Sequence, residues 1–167
     1  MHRRQAVRLL ALGGASALLT VQAQEGGVVR TVVLSGEEVA PTPTPSRALA
    51  VVRLELLGRR LRLLGVVAGL EGPFRDYTQD PVDDPALNAR LFSAFHLHRG
   101  PRGQNSPLVT ALRVEPSSDG RAGVVRDEVE LSLEDLLRLR RGELYLDVHT
   151  RAHRAGEVRG QIAFEKG

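Results

Sequence analysis

From residue 28 onward, apolar and polar positions trade places every second residue. Ala50, Val52, Leu54 and Leu56 alternate with Val51, Arg53 and Glu55, and Leu61 and Leu63 alternate with Arg60 and Arg62. A period of two describes strands with one face in a core and the other in water. The pattern predicts strands over 28–35, 47–57, 59–70, 92–98, 108–114, 122–131, 143–150 and 157–164, separated by Gly, Pro and Asn turn signals. About eight short strands at this spacing predict an all-β fold, an antiparallel Greek-key sandwich or barrel. One short helix interrupts it. Ser132 caps residues 133–141, Asp135 completes an S-x-x-D box and Gly142 ends the helix. The basic end of that helix, Arg138, Arg140 and Arg141, suits the negative pole of its dipole.

Two stretches break the alternation. Pro41-Thr42-Pro43-Thr44-Pro45 is a stiff extended connection. Residues 71–91 hold Pro73, Pro81 and Pro85 together with Asp76, Asp80, Asp83 and Asp84. Those aspartates lack the EF-hand spacing and its closing glutamate, so the segment reads as a solvated acidic loop.

The N-terminus changes the compartment and then the charge. Arg3, Arg4 and Arg8 precede an apolar run, Leu9 to Val21, and Val21-Gln22-Ala23 offers compact residues to a signal peptidase. Residues 1–23 therefore read as a cleaved signal peptide, with 24–167 as a single β-domain. The run is too short to span a bilayer comfortably, so no transmembrane anchor is expected after processing. Arg3-Arg4-Gln5 also fits a twin-arginine signal, and the expected location is periplasmic or extracellular. The net charge of +3 equals the three arginines of the signal, which carries no acid, so the mature chain is neutral. A nucleic-acid partner is not expected of a chain that loses its positive excess on export. Pairs such as Arg53/Glu55 read as a solvated strand face.

The chain has no cysteine. That excludes disulfides, thiolate catalysis, cysteine-type zinc sites and copper sites that need a thiolate. No serine–histidine–acid order, phosphate loop or dinucleotide fingerprint is present. What chemistry remains lies with histidine. His2 leaves with the signal, and the other four fall in two short runs, Phe95-His96-Leu97-His98 and Val148-His149-Thr150-Arg151-Ala152-His153. On strands, His96 and His98 share one face while Phe95 and Leu97 face the core. Leu144, Leu146 and Val148 likewise face inward, and Tyr145, Asp147 and His149 outward. Three outward imidazoles on two strands, with His153 on the following turn, form a candidate site for one metal ion. In the competing reading the rings brace loop backbone through their N–H groups.

At these residues the chain resembles a known family. Ala94-Phe95-His96-Leu97-His98-Arg99-Gly100, continuing through Asn105-Ser106-Pro107-Leu108-Val109, is similar to the A-x-H-I-H-x-G-x-x-G-x-N-G-P-V-V motif of the chordin-type (CHRD) domain. Leu144-Tyr145-Leu146-Asp147-Val148-His149-Thr150 with Gly156-Glu157-Val158-Arg159-Gly160-Gln161-Ile162 resembles its second motif, and Leu34-Ser35-Gly36-Glu37-Glu38-Val39-Ala40-Pro41 its opening. The resemblance spans residues 28–164. Ser106 stands where the family has a glycine, and 71–91 looks like an insertion. It implies an exported β-module, of immunoglobulin-like or superoxide dismutase-like architecture, without a settled activity. A more distant likeness, to the copper half of copper/zinc superoxide dismutases, implies His96, His98 and His149 as copper ligands. The zinc ligands, disulfide and bridging histidine of those enzymes have no counterpart here.

Imidazole nitrogens suit copper and zinc alike, but Cu²⁺ binds them more tightly, so copper is the expected metal and zinc the alternative. A zinc site would be hydrolytic and need a base, for which Asp147 and Glu157 are the candidates. Asp147 can equally orient an imidazole. Glu157 is expected to pair with Arg159 or cap the turn at 153–156. Three functions follow: an exported copper-binding protein for metal handling or redox chemistry, a non-catalytic interaction module, and a copper-only dismutase-like oxidoreductase. The last needs an arginine beside the metal, for which Arg99, Arg151 and Arg154 are candidates.

Overall fold

The computed structural model describes residues 27–81 and 83–164, so the expected signal segment and its cleavage point lie outside the described residues. The alternating stretches become nine strands: β1 (Val28–Ser35), β2 (Leu49–Leu57), β3 (Arg60–Ala68), β4 (Phe95–Arg99), β5 (Leu108–Leu112), β6 (Val114–Pro116), β7 (Gly123–Glu130), β8 (Leu144–Val148) and β9 (Val158–Ile162). They form one antiparallel sheet in the order β5-β4-β8-β9-β1-β2-β3-β7-β6. The two ends of that order belong to one stretch of chain, since only Arg113 separates β5 from β6. Its first half pairs with β4 and its second with β7. The sheet thereby curls into a nearly closed barrel, which protects the edges an open sheet would expose. This division at Arg113 is why nine strands stand where about eight were expected.

The inward residues are those the alternation selects. Val52, Leu54, Leu61, Leu63, Phe95, Leu97, Leu144, Leu146, Val148, Val158 and Ile162 are buried in one cluster, with Phe164 packed at its margin. Gly160 sits opposite Leu146, where a Cβ would come within 2.5 Å of the Val33 carbonyl oxygen. Only glycine lets β9 lie this close to β1.

Helix α2 (Leu133–Arg140) forms as the capping residues dictate. The Ser132 hydroxyl accepts from the Asp135 N–H at 3.0 Å and donates to the Asp135 carboxylate at 2.7 Å. Gly142, with φ +71°, closes its C-terminus, where the Glu143 N–H reaches the Arg138 carbonyl. Arg99 clamps the same Asp135 through two bonds of 2.6 and 2.9 Å, fastening the helix to β4. A second helical turn, α1 (Pro85–Asn88), was not expected. It lies inside the acidic loop, starting where Asp84 accepts from the N–H groups of Ala86 and Leu87. No helix among the described residues is long and apolar enough to cross a membrane.

Candidate metal centre

Strand register places the histidines. In the β4–β8 ladder, Phe95 faces Val148 and Leu97 faces Leu146 on the core side. On the other side His96 faces Asp147, and His98 faces Tyr145, with which it stacks at 5.0 Å and 4°. His149, one residue past β8, keeps the outward parity of Asp147, and its ring lies 4.6 Å from that of His96. One ligand atom from each of His96, His98, Asp147 and His149 lies within 4.8 Å of all the others.

Each ring spends its far nitrogen on a main-chain carbonyl. His96 Nε2 is 2.8 Å from the Ser93 oxygen, His98 Nδ1 2.9 Å from that of Ser106, and His149 Nδ1 2.8 Å from that of Arg154. A carbonyl only accepts, so those three nitrogens carry the hydrogen. In the neutral rings the lone pairs are then on His96 Nδ1, His98 Nε2 and His149 Nε2. All three turn toward Asp147 Oδ1, at 3.8, 3.2 and 3.2 Å. His98 Nε2 is that close and still makes no hydrogen bond. Lone pairs converging on a carboxylate repel unless a cation sits among them. That cation is either a proton or a metal ion.

The charges of these groups are coupled. Burial pushes His96 down to about 3, and the neighbouring His149 adds to the effect, so this ring is neutral at ordinary pH. Burial works to discharge His149 as well, but the Asp147 carboxylate beside it outweighs that and raises it above the usual imidazole value. Asp147 is buried too, yet His149 and His98 hold it well below the carboxylate range. Its second oxygen lies 3.3 Å from the Arg159 guanidinium. The Asp147 carboxylate and the His149 imidazole therefore favour each other's charged forms.

The acidic loop keeps Asp83 and Asp84 exposed, as a solvated loop would, and it also folds over this cluster. The Arg75 N–H donates to the His149 carbonyl, and Phe74 bridges to Thr150, so the loop is stitched to the end of β8. Tyr77 and Leu91 are buried beneath it, the Tyr77 ring 5.7 Å from His96. Two of its four aspartates are held by arginines, Asp83 by Arg75 and Arg154 and Asp80 by Arg151, while Asp76 accepts from Thr78 and Asp84 caps α1. Alternation cannot register a lid, because its apolar residues are spaced irregularly.

The remaining candidates part company. His153 lies outside the group of four, and its Nε2 is 2.6 Å from Glu71 Oε2. Glu157 neither pairs with Arg159 nor caps the turn with its side chain. Its buried carboxylate accepts from Ser46 Oγ, Thr150 Oγ1 and the Glu71 N–H. Arg159 turns to Asp147 and to the carbonyl and side-chain oxygens of Gln104 and Asn105. Arg99 is committed to Asp135 and Arg151 to Asp80, which leaves Arg154 beside the imidazoles. Arg159 and Tyr145 were missed as parts of the site; their outward parity beside Asp147 was the available signal.

Fold and site together define an all-β module whose covered outer face holds a histidine–aspartate cluster with the donor set of a metal centre. The chain belongs to the CHRD domain family, whose model matches residues 30–162, both histidine runs included. Neither a curated protein nor a solved structure matches it.

Proposed function

We propose that the chain is an exported protein that binds one divalent transition metal ion, copper in preference to zinc, for metal handling or redox chemistry. The ligands are His96 Nδ1, His98 Nε2, His149 Nε2 and an oxygen of Asp147. The observation that carries this is the tautomer pattern. Three carbonyls fix three rings so that every remaining lone pair faces one carboxylate oxygen. Metal-bound histidines characteristically hand their other N–H to such an acceptor, which sets ring orientation and tautomer. Three nitrogens and one oxygen suit Cu²⁺, and the Irving–Williams order places it above Zn²⁺ at the same donors. Family membership and the N-terminal sequence support export, with residues 1–23 removed and 24–167 as the working domain. His153 contributes from outside, through Glu71.

One observation favours a second reading, a non-catalytic binding module. The carbonyls of Ser93, Ser106 and Arg154 lie in loops, so the same rings also brace the chain around them. A dismutase-like oxidoreductase draws its support from Arg75 and Arg154, which line the cavity over the histidines. Metal analysis of mature protein purified without a tag, followed by copper titration, separates the metal-binding readings from the bracing one. Saturable one-to-one binding, absent from His96→Ala/His149→Ala, is the expected result. Binding unchanged in that variant leaves the rings a bracing role only.

A further inference from the structure

The outward side of β1, β2, β3 and β7 carries apolar residues that the core does not use. Strand register sets Val33, Val51, Val66 and Val124 side by side in one row across the four strands. Val33, Val51 and Val66 are 54 %, 44 % and 55 % exposed, and Leu49 and Leu64, one row to either side, are 52 % and 48 %. Single exposed apolar side chains are ordinary, whereas a contiguous group of half-exposed ones marks a contact surface. Among the described residues nothing covers it. Past the valines the rows turn charged: Thr31, Arg53, Leu64 and Arg126 form the next, and Val29, Glu55, Arg62 and Glu128 the one after. Arg53, Glu55, Arg62, Arg126 and Glu128 line a shallow hollow, so the face dips beside the valines and a second sheet can approach it.

We propose that this face pairs with the same face of a second copy, about a two-fold axis running along the strands between β2 and β3. Sheets pack face to face with their strands nearly aligned, about 10 Å apart. Turning one copy about that axis lays β2 over the partner's β3, and β1 over the partner's β7. Each row then meets itself in reverse order. Val51 falls on the partner's Val66 and Val33 on the partner's Val124, so the valine row closes on itself. Glu55 falls on the partner's Arg62, twice by symmetry, which joins opposite charges across the contact. An axis across the strands through the Arg53 row would instead set Arg53 and Arg126 against their own copies. The near balance of signs on this face suits a copy of itself better than an anionic partner. Four strands about 4.8 Å apart and about 27 Å long make a face of about 500 Å². Two of them remove about 1,000 Å² from water, near the lower bound for a specific contact, so the dimer dissociates in about the micromolar range. β9 separates the histidine-bearing β4 and β8 from this face, and the pairing does not rest on the metal reading.

Sedimentation equilibrium of the mature chain, at loading concentrations from about 1 to about 500 µM, brackets the expected Kd. A monomer–dimer equilibrium is expected, at least about tenfold weaker in Val51→Lys. Glu55→Arg and Arg62→Glu should each be monomeric, since each sets like charges against one another twice. Mixed in equal amounts they should dimerise again, because position 55 of each copy then faces the opposite charge at position 62 of the other. Glu55 and Arg62 are also neighbours within one copy, and only a contact between copies can be restored by mixing. A monomer at every concentration overturns the proposal; if that monomer cosediments with phosphatidylglycerol vesicles, the face belongs to a membrane instead. A dimer that persists in Val51→Lys lies elsewhere and overturns it too. A mixture that stays monomeric, with both variants folded by circular dichroism, overturns the two-fold pairing. Should either charge variant fail to fold, Val51→Lys decides alone: loss of the dimer upholds the face, and its retention ends the proposal.

Discussion

Two halves of this barrel obey the same alternation and use it to opposite ends. On β2 and β3 the outward positions carry Arg53, Glu55, Arg60 and Arg62, along with Val51 and Val66, and they face solvent or lie partly open to it. On β4, β8 and β9 the outward positions carry His96, His98, Tyr145, Asp147, Arg159 and Gln161, and β8 is buried along its whole length. What separates the halves is cover. Among the described residues nothing crosses the first face, whereas the loops after β3 and β4 lie over the second. A polar residue placed under cover calls for matching: Gln161 Nε2 reaches the carbonyls of Gly100, Gly142 and Leu144, whereas His98 Nε2 and Arg159 Nε stay without a hydrogen-bond partner. An outward charge is therefore cheap in one half and structural in the other.

The sharpest way to break that contrast is to delete one arginine from each half. Arg159→Ala removes a buried cation 3.3 Å from Asp147, and removing one partner of a buried pair costs about 3–5 kcal/mol. Arg62→Ala removes one of the two exposed arginine partners of Glu128, and its urea midpoint should barely move. Equal midpoint shifts in the two variants would erase the distinction between the faces.

Copper should separate the halves a second time, by a slightly smaller amount. At a free concentration a hundredfold above its Kd, the ion stabilises the fold by about 2.7 kcal/mol. His98→Ala and His149→Ala each lose that gain in a copper-dependent melt, while Arg62→Ala retains it. A gain that survives in either histidine variant places the copper elsewhere.

The strand half of this picture was legible because a period of two needs no knowledge of contacts. Leu54, Leu63, Leu97 and Val148 fall inward by parity alone, and parity also put His96, His98, Asp147 and His149 on one side. The cap and stop of α2 were equally local, written in Ser132, Asp135 and Gly142. What parity cannot see is the third dimension above the sheet. The lid hides its purpose because Tyr77 and Leu91 are 14 positions apart with aspartates between them. Glu157 was misplaced for a related reason. Its partners Ser46 and Glu71 are distant in sequence, and nothing near Glu157 names them. Asp147 was legible as a candidate but not as the oxygen on which three rings converge, since that depends on the tautomers the loop carbonyls impose.

Acid should expose the covered half before the open one. In the unfolded chain His96 takes up a proton near pH 6.5, whereas in the fold it does so only near about 3. The unfolded state thus binds more protons between those values, and stability falls by about 1.4 kcal/mol per pH unit as pH drops through them. His149 adds no slope there, because its raised folded value keeps both states protonated below 6.5; its contribution is lost only as pH rises through that value. The contribution of Asp147 is present above the unfolded carboxylate value and fades as pH falls through its depressed folded one. Urea midpoints of metal-free protein at pH 6.5 and 4.5 test this against His96→Phe. The variant should lose about 1.4 kcal/mol less per pH unit than the wild type, and matching slopes would mean that His96 is not held neutral.

The smallest effect belongs to the histidine at the border between the halves. His153 sits on the turn after β8, and its ring pairs with Glu71, whose side chain is 44 % exposed. A pair open to water to that degree contributes about 0–1 kcal/mol. Its influence on the cluster can pass only through the backbone, since the Glu71 N–H also holds the Glu157 carboxylate where the lid begins. His153→Ala should therefore weaken copper binding by no more than about fivefold, the equivalent of 1 kcal/mol, with the one-to-one stoichiometry intact. Calorimetric titration of the variant beside His98→Ala reads this directly. Should His153→Ala abolish tight binding as His98→Ala does, the metal site would reach beyond the four converging side chains, and the edge of the covered half would lie further along the chain than the tautomers place it.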